Sequence, residues 1–324
     1  MKNLFTFILL FMALQLSAQK LKFQFDGTFK IAQFTDVHYI AGREPSKSSL
    51  QMIEATLDAE KPNLVVFTGD AVVGNPIQKG WDELLAPIIS RKIPYLITLG
   101  NHDDEGEWKR NTIAEYLVSK PYILNKTSSV DGVAGFLNQS LAIASRNNGD
   151  AAVLYALDSR AYSTHPHVKG YGWFDHSQVA WFKRESEKYK MNTKDTLPAL
   201  AFFHIPLPEY NTAFNDMKNK RIGVRYELEC APAINTGMFA AFLESGDVMG
   251  TFVGHDHVND YLVEYNGIAL TYGCFSGSAN TYQRAKHGAR IIKLIEGVRK
   301  FETYIREFDG EIVQSASYPF VKKK

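Results

Sequence analysis

The chain has 324 residues, 45% of them hydrophobic, and its 36 basic side chains almost balance its 35 acidic ones. That balance excludes a strongly basic face for gripping nucleic acid through counterion release, while length and apolar content suffice for one large buried core. The two cysteines, Cys230 and Cys274, lack the Cys-x-x-Cys spacing of a zinc or redox motif, and a disulfide and two separate thiols stay equally open.

The first element is a leader. Lys2 precedes an apolar run from Leu4 to Leu16 that closes on Ser17-Ala18-Gln19. The run is short of the roughly 20 residues a membrane span needs, and its order is that of a secretory signal peptide over residues 1–18, cut after Ala18. Gln19 stands where a lipoprotein anchor would need Cys. The protein is therefore expected to be secreted or periplasmic, with no membrane span after cleavage. Loss of the leader removes Lys2 alone and leaves 35 basic against 35 acidic residues. Lys322-Lys323-Lys324 reads as a solvated tail.

Residues 19–324 show no repeat, linker or composition break and read as a single layered α/β domain. Ser46 to Glu60 has helical spacing (Leu50, Ile53, Leu57) behind a serine cap, and the apolar strand Leu64 to Phe67 follows Lys61-Pro62-Asn63. Trp81 to Arg91 and Trp108 to Ser119 are further amphipathic stretches. Between Tyr122 and Asp158 the pattern shortens to runs such as Gly135 to Leu137 and Val153 to Leu157, which suit an antiparallel sheet. Ser177 to Tyr189 returns to helix, and Tyr261 to Cys274 and Ala289 to Glu296 read as strands.

Five polar blocks each follow a strand-like run: Asp36-Val37-His38, Gly69-Asp70, Gly100-Asn101-His102-Asp103, His204, and Gly254-His255-Asp256-His257. In an open α/β sheet, ligands gather at the carboxyl ends of the strands. Five of the nine histidines lie in these blocks. Taken singly, Asp36 and Asp70 read as helix caps, Asn101 as a turn former and His204 as a core histidine; as an ordered set they read as a centre for two metal ions. Such a centre needs hard oxygen ligands and imidazoles, with one carboxylate shared between ions about 3.5–4 Å apart. Two divalent ions, offset by Asp36, Asp70 and a bridging hydroxide, leave about one positive charge to hold an anionic phosphate. Asp256 reads as a turn residue, and His165, His167, His176 and His287 as surface or loop residues; Arg160, Tyr171, Tyr210 and Tyr282 could line the cleft, with no motif behind them. Asn125-Lys126-Thr127 and Asn138-Gln139-Ser140 match the N-glycosylation pattern, which matters only on a route that glycosylates.

The ordered blocks resemble the calcineurin-like metallophosphoesterase superfamily, and the stretches Lys61 to Asp70 and Gly254 to Asp260 resemble its Dcr2-like and purple-acid-phosphatase-like branch. The resemblance implies a four-layer α-β-β-α sandwich of two mixed sheets flanked by helices. It implies that Asp36, His38 and His257 bind one ion and Asn101, His204 and His255 the other, with Asp70 shared. The resemblance implies Fe, Mn or Zn as the two ions and does not choose among them. His102 matches the family histidine that faces the substrate and assists the leaving oxygen, and Asp103 matches its carboxylate partner. Val73 stands where purple acid phosphatases carry tyrosine, and His38 where they carry glycine, so an imidazole is expected in place of the phenolate.

The expected activity is metal-dependent hydrolysis of a small phosphomonoester by the bridging hydroxide. The alternatives are a phosphodiesterase or nucleotidase, and a metal-bound interaction module without turnover. Substrate and oligomeric state have no motif. N-terminal sequencing of protein recovered outside the cytoplasm should begin at or near Gln19; an intact Met1 terminus on soluble cytoplasmic protein would overturn the export reading.

Overall fold

The computed structural model describes residues 20–282 and 286–320, so the leader at 1–18 lies outside the described residues. The elements in chain order are β1 (Thr28–Phe34), α1 (Glu44–Glu60), β2 (Leu64–Thr68), α2 (Ile77–Ser90), β3 (Tyr95–Thr98), α3 (Arg110–Leu117), β4 (Gln139–Ala144) and β5 (Asp150–Ala156). They continue with α4 (His176–Thr193), β6 (Ala199–Phe202), α5 (Glu209–Asn215), β7 (Arg221–Ile222), α6 (Met238–Ser245) and β8 (Val248–Val253). The hairpin β9 (Leu262–Tyr265) and β10 (Ile268–Tyr272) follows, then β11 (Gly288–Ile295), β12 (Phe301–Glu307) and β13 (Ile312–Tyr318).

Two mixed sheets result, a six-stranded one ordered β13-β12-β11-β1-β2-β3 and a seven-stranded one ordered β4-β5-β6-β8-β10-β9-β7. The period of two along each strand builds the layers. In the first sheet Ile31, Leu64, Val66 and Leu96 face the second sheet, where they meet Leu154, Leu200, Phe202 and Phe252. Their alternates Phe34, Val65, Phe67 and Ile97 pack on Ile53, Leu57, Trp81, Leu84 and Ile113 from α1, α2 and α3. On the far side Tyr155, Ala201 and Leu270 pack on Phe182, Tyr210 and Phe242 from α4, α5 and α6. The fold is the expected α-β-β-α sandwich of two mixed sheets flanked by helices. Strands β1, β2 and β3 are parallel, as are β5, β6, β8 and β10, so the site blocks all follow parallel strands.

Several local expectations are corrected. Gly135 to Leu137 is a bend and not a strand; the antiparallel pair is β4 with β5. The cap position of α1 is Arg43, without a side-chain cap, because the Ser46 hydroxyl accepts from the Ile40 N–H (2.9 Å) instead. Helix α2 starts earlier, at Ile77, whose N–H is taken by Glu107 (3.0 Å), and it runs through Pro87. Tyr261 to Cys274 is not one strand: Asn266 and Gly267 both take left-handed backbone (φ 48° and 78°) and form the two-residue turn of a hairpin.

β3 is an edge strand, and a side chain closes it. The Asn125 amide accepts from Ile97 N–H (2.9 Å) and donates to Ile97 O (3.0 Å) and Leu137 O (2.8 Å), as a neighbouring backbone would. Asn138 is equally buried; its amide donates to Ala134 O (3.0 Å) and accepts from Asp158 N–H (3.0 Å). Cys230 and Cys274 are separate thiols. Among the described residues no helix is long and apolar enough to cross a membrane.

Phe202 stacks on Phe252 between the sheets (centroids 5.3 Å apart) and is fully buried. Phe202→Ala should lower the unfolding free energy by about 3–5 kcal/mol, read from urea denaturation; a loss under about 1 kcal/mol would show that the inter-sheet layer collapses around the gap.

Candidate metal centre

The first sheet delivers Asp36 and His38 beyond β1, Asp70 beyond β2 and Asn101 beyond β3, and the second delivers His204 beyond β6 and His255 and His257 beyond β8. All seven are buried. Ligand atoms of Asp36, His38, Asp70 and His257 lie within 4.8 Å of one another, as do those of Asp70, His204 and His255. Asp70 belongs to both groups, as a shared carboxylate must. The Asn101 Oδ1 lies 3.2 Å from His204 Nε2 and joins the second group.

The backbone is bent to achieve this. Asp36, His38, Asp70 and His255 all take left-handed φ (54°, 47°, 48° and 82°), a conformation that costs side-chain-bearing residues about 1–3 kcal/mol each. Hydrogen bonds from Asp36 N–H to Gly69 O (3.1 Å) and from His38 N–H to Asp70 O (2.9 Å) hold it. Glycine precedes three of the ligands because another ligand passes behind it. A Cβ on Gly69 would lie 2.4 Å from His204 Nδ1, one on Gly100 2.1 Å from Asp70 Oδ1, and one on Gly254 2.4 Å from Asp36 Oδ2.

The donor set asks for cations. His204 Nδ1 lies 2.8 Å from Thr68 O and His257 Nδ1 2.8 Å from Tyr282 O; a carbonyl only accepts, so both Nδ1 atoms carry hydrogen and both Nε2 atoms present lone pairs. His257 Nε2 faces His38 Nε2 at 3.2 Å and Asp36 Oδ1 at 3.5 Å. His204 Nε2 faces the Asp70 Oδ2 at 3.2 Å, an oxygen that is buried and has no hydrogen-bond donor. Acceptors converging on acceptors in a buried space are stable only around positive charge. The electrostatics of the site agree. Burial drives His38 down to about 4, and burial with the neighbouring His204 drives His255 down to about 3, so both stay neutral and free to ligate. Burial opposes charge on His204 as well, but Asp70 and Asp36 override it and raise this imidazole to about 9, so the surroundings of its Nε2 favour a positive charge. Burial would also raise Asp70, yet His204 and His38 hold it well below the usual carboxylate range.

His102 stands at the open side, its ring 5.4 Å from that of His38, and is not among the converging groups. The role expected for Asp103 is corrected. Its fully buried carboxylate accepts from Gly100 N–H (2.7 Å), Asp70 N–H (2.9 Å), Ala71 N–H (2.9 Å) and Val72 N–H (3.1 Å). His102 instead pairs through Nδ1 with Glu105 Oε2 at 2.7 Å. The two neighbours diverge because the turn needs an acceptor inside, for four backbone donors that no strand satisfies. Asp103 is thus a positioning residue. Burial and the adjacent Asp70 charge push it up to about 6, against the pull of those donors.

Sequence reasoning raised Tyr171 and Tyr282 only as residues that could line the cleft, and it missed the hydrogen bonds of Tyr162. The Tyr162 hydroxyl accepts from Asn101 Nδ2 (3.1 Å) and donates to Glu105 (2.9 Å), fixing the amide so that its oxygen faces the centre. Tyr171 stands edge-on to His255 (4.3 Å) and Tyr282 stacks on His257 (4.1 Å). Asp256 is no bare turn former: it accepts from Tyr272 and from Cys230 N–H (3.1 Å) and braces the last block. His165, His167 and His176 are exposed, and His287 is half-buried. Tyr210, weighed as a cleft residue, is buried in the core against Thr251 (2.7 Å).

Residues 29–259 match the family model for calcineurin-like phosphoesterases. The chain is 37% identical to probable inactive purple acid phosphatase 29 of Arabidopsis thaliana over 287 residues, 79% of this chain and 73% of that one. It is 38% identical to the phosphatase DCR2 of Saccharomyces cerevisiae over 79% of its own length but spans about half (49%) of that protein. A dimetal phosphatase from Danio rerio shares the fold, with a TM-score of 0.63 over 90% of this chain and 99% of that one at 14% identity. The chain belongs to the calcineurin-like phosphoesterase family.

Proposed function

We propose that the protein is an exported, metal-dependent phosphomonoesterase. The observation that supports this best is the shared Asp70 oxygen, buried without a donor between two groups of lone pairs. Asp36, His38, Asp70 and His257 would hold one ion, and Asp70, Asn101, His204 and His255 the other. Two such ions supply Lewis-acid charge to the phosphoryl oxygens and make water acidic enough to lose a proton near neutral pH.

The chain's own groups do the rest. Asp103 holds the loops carrying Asp70 and Asn101 in register. Glu105 fixes the His102 proton on Nδ1, which leaves Nε2 to carry a proton to the departing alcohol oxygen. Tyr162 orients Asn101 and Glu105 together, linking the metal side to the leaving-group side.

Three Arabidopsis thaliana relatives bear the name probable inactive purple acid phosphatase, which favours a second reading, a metal-bound module without turnover. Here the seven ligand-type side chains and the His102–Glu105 pair are all present, and a scaffold has no use for the pair.

Asp70→Ala should strip both ions, because it removes the shared ligand and leaves each group a carboxylate short. Elemental analysis of the purified variant decides; two equivalents of metal with full activity would remove Asp70 from the centre.

His102→Asn should lower turnover about 10²–10⁴-fold at unchanged metal content. The loss should be least for an ester with an acidic phenol, which departs with little proton assistance, and greatest for an alkyl phosphate. Equal losses on both would assign His102 to charge stabilisation, and no loss on either, or no turnover by the metal-loaded parent protein, would favour the second reading.

A further inference from the structure

Beyond β5 the chain turns through Asp158, whose buried carboxylate accepts from Arg110 Nε (3.1 Å), Phe136 N–H (2.8 Å) and Arg160 N–H (2.9 Å). Arg110 also donates to Gly100 O (2.6 Å) and Leu99 O (3.0 Å), at the root of the loop that carries Asn101 and His102. The backbone of Arg160 is thereby indexed to the catalytic loop. It is held in left-handed conformation (φ 72°), which for an arginine persists only where the surroundings over-determine it.

The Arg160 guanidinium, by contrast, makes no hydrogen bond and no ion pair within 4.0 Å among the described residues; its bonds run through its backbone, and it acts on the Asp175 carboxylate only through space, helping to lower it. It lines a cavity of about 310 Å³ together with Tyr162, Ser163, Thr164, His165 and Trp173. Asp175 borders the same space, but its carboxylate is occupied in capping α4, accepting from Ser177 N–H (2.8 Å) and the Ser177 hydroxyl (2.6 Å). Tyr162 is the wall shared with the metal centre, since its hydroxyl touches both Asn101 and Glu105. The cavity therefore begins on the side where His102 stands, and it has the size of a small-metabolite pocket.

An arginine whose guanidinium is free of hydrogen bonds, lining a cavity edged by two hydroxyls, can recognise a carboxylate or a phosphate, which its planar fork grips with two hydrogen bonds. We propose that this cavity receives the alcohol portion of the substrate and that Arg160 selects phosphomonoesters whose alcohol carries a second anionic group. The proposal rests on the phosphomonoesterase reading above. Trp173 supplies the apolar wall against which a short carbon skeleton packs.

Two matched pairs of esters test it on the metal-loaded protein: 2-phosphoglycerate against glycerol 2-phosphate, which differ by a carboxylate, and 1,3-propanediol bisphosphate against 3-hydroxypropyl phosphate, which differ by a phosphate. The readout is the ratio of kcat/KM within a pair, so a general loss of activity cancels. The parent protein should favour the anionic member by about 10- to 100-fold, the range for a charged hydrogen bond. Arg160→Ala should bring the ratio close to one, and Arg160→Lys should keep part of it. A preference in one pair alone identifies the anion. A ratio near one in the parent protein, or one unchanged in Arg160→Ala, overturns the proposal. Should the parent hydrolyse none of the four, the phosphomonoesterase reading fails, and dissociation constants for the same pairs measured by calorimetry decide the pocket by the same ratio. Arg160→Gln gives the same contrast where Arg160→Ala is insoluble.

Discussion

One buried carboxylate organises this centre without taking part in it. Asp103 gathers the N–H groups of Gly100, Asp70, Ala71 and Val72, tying the turn after β3 to the turn after β2 at distances between 2.7 and 3.1 Å. Those donors belong to residues beyond the strand ends, where the ladder can no longer satisfy them, and buried donors left unmade are costly. The Asp70 carboxylate returns the link by accepting from His102 N–H (2.8 Å). The loop carrying Asp70 and the loop carrying His102 thus share one hydrogen-bonded frame.

The two sheets are joined in the same way. His255 N–H reaches across to the Asp36 carboxylate (3.0 Å), Gln33 reaches Val253 O (3.1 Å), and Thr35 N–H meets the Ser276 hydroxyl (3.2 Å). Sheets packed on an apolar layer can slide, because dispersion has no direction. These polar contacts at one end remove that freedom where a displacement of an ångström would spoil ligand geometry. The left-handed backbone at Asp36 and His255 is joined by the first of these contacts, and that at His38 and Asp70 by the bond from His38 N–H to Asp70 O. Glycine at 69, 100 and 254 serves this interlock, since each stands where another residue's side chain passes.

Much of the candidate centre was legible because each block follows a strand largely buried on both faces, so that a mostly apolar run leading into Asp, Asn or His marks sheet and candidate site together. The groups whose roles escaped come from places where no local rule applies. Within Asp103-Asp104-Glu105 nothing in the sequence tells which acid meets His102; the answer depends on donors contributed by residues 70–72. Tyr162, Tyr171 and Tyr282 stand on loops whose course is fixed by tertiary packing. Helices α5 and α6 are short, and β12 and β13 are ordinary amphipathic strands at the far edge of the first sheet, away from any chemical motif. The Asn266-Gly267 turn was readable and went unread inside a longer apolar stretch.

The closure of the β3 edge by Asn125 has a consequence for how this protein is made. A glycan on Asn125 would sit on the amide nitrogen that now bonds to Ile97 O and Leu137 O, and one on Asn138 would sit on the nitrogen that bonds to Ala134 O. Both nitrogens are interior to the finished fold. Oligosaccharyltransferases act on the nascent chain before such interiors exist, so any glycan added to these sequons in a eukaryotic secretory host would stand in the way of these buried hydrogen bonds. Bacterial expression avoids that conflict, and the two sequons act as a filter on the compartments in which this sequence can mature.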